Sequence, residues 1–236
     1  MDKIISTLNS YANPQKAKIL QRFFKTGREE YGEGDRFLGI VVPLQRKIAR
    51  QYQDLTLNDV LLLLKNPIHE YRLVALLILI LQYNGGDEKT KDKVVRLYLK
   101  NTKFINNWDL VDLSAPQIVG EYLKDKDKSV LYKMAKTDDL WKKRIAMLSC
   151  FTFIKNHSYK DALTVATILL SDKHDLIHKA VGWMLREIGK RNQRVEEEFL
   201  KKYYHVMPRT MLRYAIERFE DKKRQLYMSS TIKRHH

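Results

Sequence analysis

Five short stretches of this chain share one apolar phase: YRLVAL (71–76), NWDLVDL (107–113), KRIAML (143–148), KAVGWML (179–185) and LRYAIE (212–217). Aligned on that phase, Arg72, Trp108, Arg144, Ala180 and Arg213 fall in one equivalent slot, at intervals of 36, 36, 36 and 33 residues. Between them lie further amphipathic segments, DKVVRLYLKN (92–101), KSVLYKMAK (128–136) and KDALTVATILLS (160–171). Two helices per period mean that no single unit can bury its own apolar face, so successive pairs must stack. The reading is all-α: a curved α-solenoid of HEAT-like helix pairs, somewhat shorter per unit than usual. It is expected to form one domain over 1–236, with a repeat core at roughly 14–220 and a basic tail at 221–236.

Local signals agree with helices and leave little room for strands. Asn66-Pro67 reads as an N-cap with proline at the first helical position, and Asn84-Gly85-Gly86 as the end of the same helix. Thr56 with Asp59, and Ser158 with Asp161, have the spacing of a capping box. Asn192 precedes an amphipathic segment, and Pro208 opens another. Pro116 falls inside a helical pattern, where the missing N–H and the ring should kink or end the helix.

Charge points to the partner. Lys plus Arg number 44 against 28 for Asp plus Glu, a net charge of +16, and the basic residues recur along the whole chain. A solenoid lays its equivalent slots along one surface, so three arginines and an indole in one slot predict a basic groove on the concave face. Arginine's planar fork suits phosphate oxygens, and a curved basic track suits a duplex. On this reading Arg72, Arg186, Arg213, Lys142, Lys143 and Lys179 are expected to contact DNA.

Against that background NWDLVDLSAPQIVG (107–120) carries an acid where the other repeats mostly hold an apolar residue. Asp112 lies one helical turn from Trp108, and a carboxylate among cations repels DNA unless it meets something positive. A purine alkylated at N3 or N7 is positive. Its glycosidic bond breaks through an oxocarbenium-like transition state that a nearby carboxylate stabilises, and aromatic rings such as Trp108 and Trp183 can face a cationic base. Asp109 points about 100° away from Trp108 and reads as structural, pairing with a lysine or capping a neighbouring helix.

Taken in order, FLGIVVPLQRKIAR (37–50), NWDLVDLSAPQIVG, DDLWKKRIAMLS (138–149) and KAVGWMLREIGK (179–190) resemble the HEAT-repeat DNA alkylation repair proteins of the AlkD type, over about residues 20–220. The resemblance implies a glycosylase that removes N3- or N7-alkylated purines from duplex DNA without metal or cofactor. It places Asp112 at the family's catalytic acid and Trp108 and Trp183 at its two active-site tryptophans. Arg144 matches the arginine that follows the LW motif. Asp112 would then stabilise charge and position water, Arg144 would hold the adjacent phosphate, and both indoles would face the lesion's sugar.

Other chemistries find little support. His174 and His178 are four apart but lack a third ligand at sensible spacing. Cys150 sits in MLSCFTFI, where a buried inert thiol is expected. There is no glycine-rich phosphate loop and no Ser-His-Asp arrangement. One cysteine, a polar N-terminus and no long apolar run lead us to expect a soluble, cytoplasmic monomer without membrane, metal or cofactor partners. The rival from another class is a non-catalytic HEAT scaffold that binds nucleic acid or an acidic protein through the same charge.

Overall fold

A computed structural model describes residues 1–232. Among these, helices are the only regular elements, with no strand beyond an isolated bridge between Arg36 and Ile68. The backbone groups into two compact units, Met1–Ser114 and the remainder from Ala115 onward.

In the first unit, α1 (Asp2–Ser10), α2 (Pro14–Phe23), α3 (Val42–Gln51), α4 (Leu57–Leu64), α5 (His69–Gly85), α6 (Glu88–Lys100) and the start of α7 (Trp108–Ala115) follow in order. The central element is α5, which packs against α3, α4 and α6. Its run from Leu73 to Ile80 is buried on every side, as a helical stretch that is apolar all round must be. The N-caps predicted at Thr56 and Asn192 form: Thr56 Oγ1 accepts from Asp59 N at 3.2 Å and Asn192 Oδ1 from Val195 N at 3.3 Å. Gly85 and Gly86 end α5 as expected.

Its start differs from the expectation. The helix begins at His69, with Ile68 as N-cap. Arg36 N–H donates to Pro67 O at 3.3 Å, and His69 N–H donates to Arg36 O at 2.8 Å. That bridge holds Ile68 extended, so Asn66-Pro67 becomes the approach to the helix, with Asn66 Oδ1 accepting from Ile68 N at 2.9 Å.

In the second unit, α7 runs into a π-helical turn at Pro116–Gly120 and a short α8 (Glu121–Leu123). Then come α9 (Ser129–Ala135), α10 (Leu140–Lys155), α11 (Lys160–Ile168), α12 (Asp175–Gly189), α13 (Gln193–Tyr203), α14 (Arg209–Ala215) and α15 (Asp221–Ile232). Pro116 neither ends the helix nor merely bends it: the backbone widens to π spacing where the proline cannot donate. Thr152 Oγ1 donates to the Pro116 carbonyl at 2.8 Å, and Gly120 lets α10 approach, since a Cβ there would lie 2.5 Å from Ser149 O.

Here α10 packs on α9, α11 and α12, and α12 packs on α13 and α14, the stacking of neighbouring pairs that the period predicts. The expected cap at Ser158 is absent: α11 starts after Tyr159 without a side-chain cap, and Asp161 instead accepts from the Tyr132 hydroxyl. Of the tail expected at 221–236, residues 221–232 are helical, and residues 233–236 lie outside the described part of the chain.

Candidate active site

The first unit presents α7 with one face closed and one face partly open. Leu110, Val111, Ser114 and Ala115 are fully buried, while Trp108, Asp109 and Asp112 are half-buried. Asp112 therefore stands one turn from Trp108 on the side of the helix that solvent reaches. Its charge is felt at Tyr98, a buried phenol pushed well up from the ordinary tyrosine range by desolvation and by Asp112, against a hydrogen bond to Ser114.

Trp108 does not stand free. Its ring stacks on Phe24 at 5.2 Å and meets Phe23 edge-on at 5.9 Å. Phe24 in turn stacks on Phe37 at 5.1 Å, and both rings lie against the His69 imidazole, at 5.0 and 4.5 Å. These rings line a cavity of about 600 Å³, an apolar space of the size that takes a small planar group. FLGI supplies part of the wall. Gly39 has φ of +85°, and a Cβ there would be 2.2 Å from Asn13 O; only glycine fits.

Beneath the rings is a charged network that the sequence reading does not contain. His69 is 2% exposed; its Nδ1 lies 3.0 Å from Asp35 Oδ2 and its Nε2 2.8 Å from Asp109 Oδ2. Arg72 donates to Asp35 Oδ1 at 2.5 Å. Asn107 Nδ2 donates to Asp35 Oδ2 at 3.1 Å, and Asn107 Oδ1 accepts from Trp108 N at 2.8 Å. Glu70, also buried, accepts from the backbone of Leu38, Gly39 and Ile40 at 2.9, 2.7 and 3.2 Å. Burial by itself would lower the His69 pKa, but the Asp109 charge and hydrogen bonds to Asp109 and Asp35 outweigh burial and the opposing Arg72, raising it to about 9. Asp35 goes down despite its burial, because His69 and Arg72 bind its charged form.

Two expectations change here. Arg72 was read as part of an open track; it is 5% exposed and its guanidinium is turned onto Asp35, because α5 lies at the centre of its unit. Asp109 is structural as expected, but its partner is a buried histidine and not a lysine. HEYR, with an acid and two basic side chains at the head of a long apolar run, was the one local signal for this network. Asp35 and Asn107 are distant in sequence and gave none.

In the second unit Arg144 is also buried, 5% exposed, with a guanidinium nitrogen 2.5 Å from Leu176 O at the first turn of α12. Trp183, half-buried, packs near Phe151 at 6.1 Å, and its indole N–H donates to Glu187 Oε1 at 3.3 Å. Lys142 and Lys143 flank the start of α10, facing Asp139 at 3.8 Å and Asp172 at 2.7 Å. Lys179 pairs with Asp175 at 2.6 Å and Arg186 with Glu217; Arg213 is exposed. His174 caps α12, accepting from Leu176 N at 3.1 Å, and His178 Nε2 donates to Asp172 O at 2.6 Å, so both rings serve the turn. Among the described residues no three His, Cys, Asp or Glu side chains gather to hold a metal ion, and no helix is long and apolar enough to cross a membrane. Cys150 is buried, and desolvation pushes its thiol far up from its usual range.

Stacked helix pairs and a half-open acid beside an indole define a helical-repeat protein with a candidate active site on α7. The model of the family described as DNA alkylation repair enzymes matches residues 4–219, and the chain belongs to that family. No curated protein matches it. Its fold is similar to that of a solved structure, described as a predicted DNA alkylation repair enzyme from Enterococcus faecalis, with a TM-score of 0.68 and 16% identity over 89% of this chain and 97% of the other.

Proposed function

We propose that the protein is a DNA glycosylase that hydrolyses the N-glycosidic bond of cationic N3- or N7-alkylated purines in duplex DNA. The observation that carries this reading is Asp112, held half-open on α7 one turn from Trp108 in a chain of this family. A carboxylate so placed stabilises the positive charge that develops on the sugar as the bond to a charged base lengthens, and it can orient water for attack. The lesion supplies its own leaving-group activation because the alkylated base departs neutral. No metal or cofactor is required for that step.

Trp108 offers a rigid ring, braced by Phe24, against which sugar or cationic base can lie. Trp183 is assigned the same role, and Arg144 a phosphate, on the strength of the family motifs they match. Arg213, exposed, and the lysines at 142, 143 and 179 are assigned to the DNA backbone; Lys142 and Lys179 can exchange their surface carboxylate partners for phosphate at little cost, since such pairs contribute only about 0–1 kcal/mol, whereas Lys143 is held by the buried carboxylate of Asp172. Buried Arg72 supports the site from below, and Arg186 is assigned to DNA in exchange for Glu217.

Asp112→Asn removes the charge and keeps the shape. Release of 7-methylguanine or 3-methyladenine from methylated duplex should fall by about two to three orders of magnitude, with DNA affinity unchanged or tighter. Wild-type rates in this variant would take the acid out of the mechanism. Absence of release by the wild-type protein would leave a DNA-binding scaffold.

A further inference from the structure

We propose that Asp35, His69 and Asp109 form a positioning device: a buried imidazolium, bridging two carboxylates from different segments, that fixes the first turn of α7 and with it the placement of Trp108 and Asp112. The inference rests on the glycosylase reading for its catalytic consequence, but the device itself is independent of it.

The geometry is specific. Asp35 lies in the loop between α2 and α3, His69 opens α5, and Asp109 is the second residue of α7. Both imidazole nitrogens face carboxylate oxygens, at 3.0 and 2.8 Å. With an acceptor on each side, a neutral ring would set one lone pair against a carboxylate; only the doubly protonated ring satisfies both. Phe24 and Phe37, stacked on one another, both lie against the ring with centroids 5.0 and 4.5 Å away, and their π clouds also favour a cation.

The charged groups that face His69 are Asp35 from the loop, Asp109 from α7 and Arg72 from its own helix, with Glu70 beside it on the loop amides. Arg72 completes the account of Asp35, whose two oxygens serve Arg72, His69 and Asn107. Since Asn107 holds the Trp108 N–H and Asp109 holds His69, the start of α7 is tied down on both sides of Trp108. Asp112 follows one turn later on the same rigid helix. Trp108 is also braced through its stack on Phe24, which leans on the His69 ring.

This role differs from that of a catalytic residue: His69 is 2% exposed and touches no substrate. It also differs from plain core packing, because deprotonation leaves every atom in place yet removes one of the two hydrogen bonds. The reaction should therefore acquire an alkaline limb that coincides with the titration of a histidine it never contacts.

The test uses full-length protein. Isotope-labelled His69 should titrate near pH 9, and the single-turnover release of 7-methylguanine, corrected for uncatalysed loss, should fall through the same range. In Asp109→Asn the histidine should titrate at least one unit lower, the alkaline limb should move down with it, and release at pH 8 should drop about tenfold with DNA affinity within twofold of wild type. A release rate flat to pH 10 while His69 titrates would overturn the proposal without needing a variant, as would wild-type release at pH 8 by folded Asp109→Asn. If wild-type protein releases no base, the glycosylase reading fails alone. The device is then judged by the His69 titration, and an ordinary value near 6.5 would overturn it too.

Discussion

Arg72 and Arg144 occupy equivalent slots two periods apart, and in each unit the guanidinium is turned inward, onto Asp35 in one and onto a carbonyl in the first turn of α12 in the other. Periodicity located the slot but not its exposure, since an arginine with a buried partner is patterned in sequence like one bound for phosphate. Asp112 and Trp108 were legible because an acid in an otherwise apolar position needs a reason. Glu196 was not. It is 2% exposed on α13, with Oε1 buried and unpaired. Burial, helped by Glu197 and opposed by Arg186 and Lys223, raises its pKa to about 8. Above the unfolded value of 4.5 the unfolded chain gains by ionising while the folded one does not until pH 8, so this carboxyl costs stability as pH rises through that window. Glu196→Gln should be more stable than wild type at pH 8, by roughly 1–3 kcal/mol, with the gap closing near pH 4.5. Equal denaturation midpoints at pH 8 would show the carboxyl to be hydrated in the folded state.

At the scale of elements, the helices and the caps at Thr56 and Asn192 could be read directly, since such caps are local hydrogen bonds written in adjacent residues. Misread boundaries had distant causes. The start of α5 was moved by a bridge to Arg36, and the cap at Ser158 was lost. Pro116 likewise produced a π turn, because Thr152 and Gly120 let α10 close on the widened backbone. Within GWMLRE, Gly182 is fixed by approach of α14: a Cβ would lie 2.4 Å from Met211 O and 2.5 Å from Tyr214 Cβ. Backbone cannot yield there as a flexible side chain can. Gly182→Ala should therefore cost about 1–3 kcal/mol by urea unfolding; a loss under about 0.5 kcal/mol would mean that α12 and α14 slide apart easily.

Across the whole molecule the governing quantity is a net charge of +16, carried by residues such as Arg213, Lys142 and Lys179 whose present partners are surface carboxylates or solvent. If about five of them meet phosphates, log affinity for duplex should fall with log salt at a slope of about −4 to −5. A slope near zero would point to an acidic protein as partner. Fluorescence anisotropy with an undamaged duplex at several salt concentrations measures it.

The chain by itself determined the all-helical class, the stacking of helix pairs, the acid at Asp112 and its neighbouring indole, for these depend on residue type and on spacings within one or two turns. Only the tertiary structure decided that Arg72 and Arg144 are buried, that Asp109 answers to His69, and that Asp35 gathers three partners from across its unit. Such pairings join residues between 32 and 72 positions apart, and what selects them is the cost of leaving a buried charge uncompensated, which exists only once the helices have closed around it.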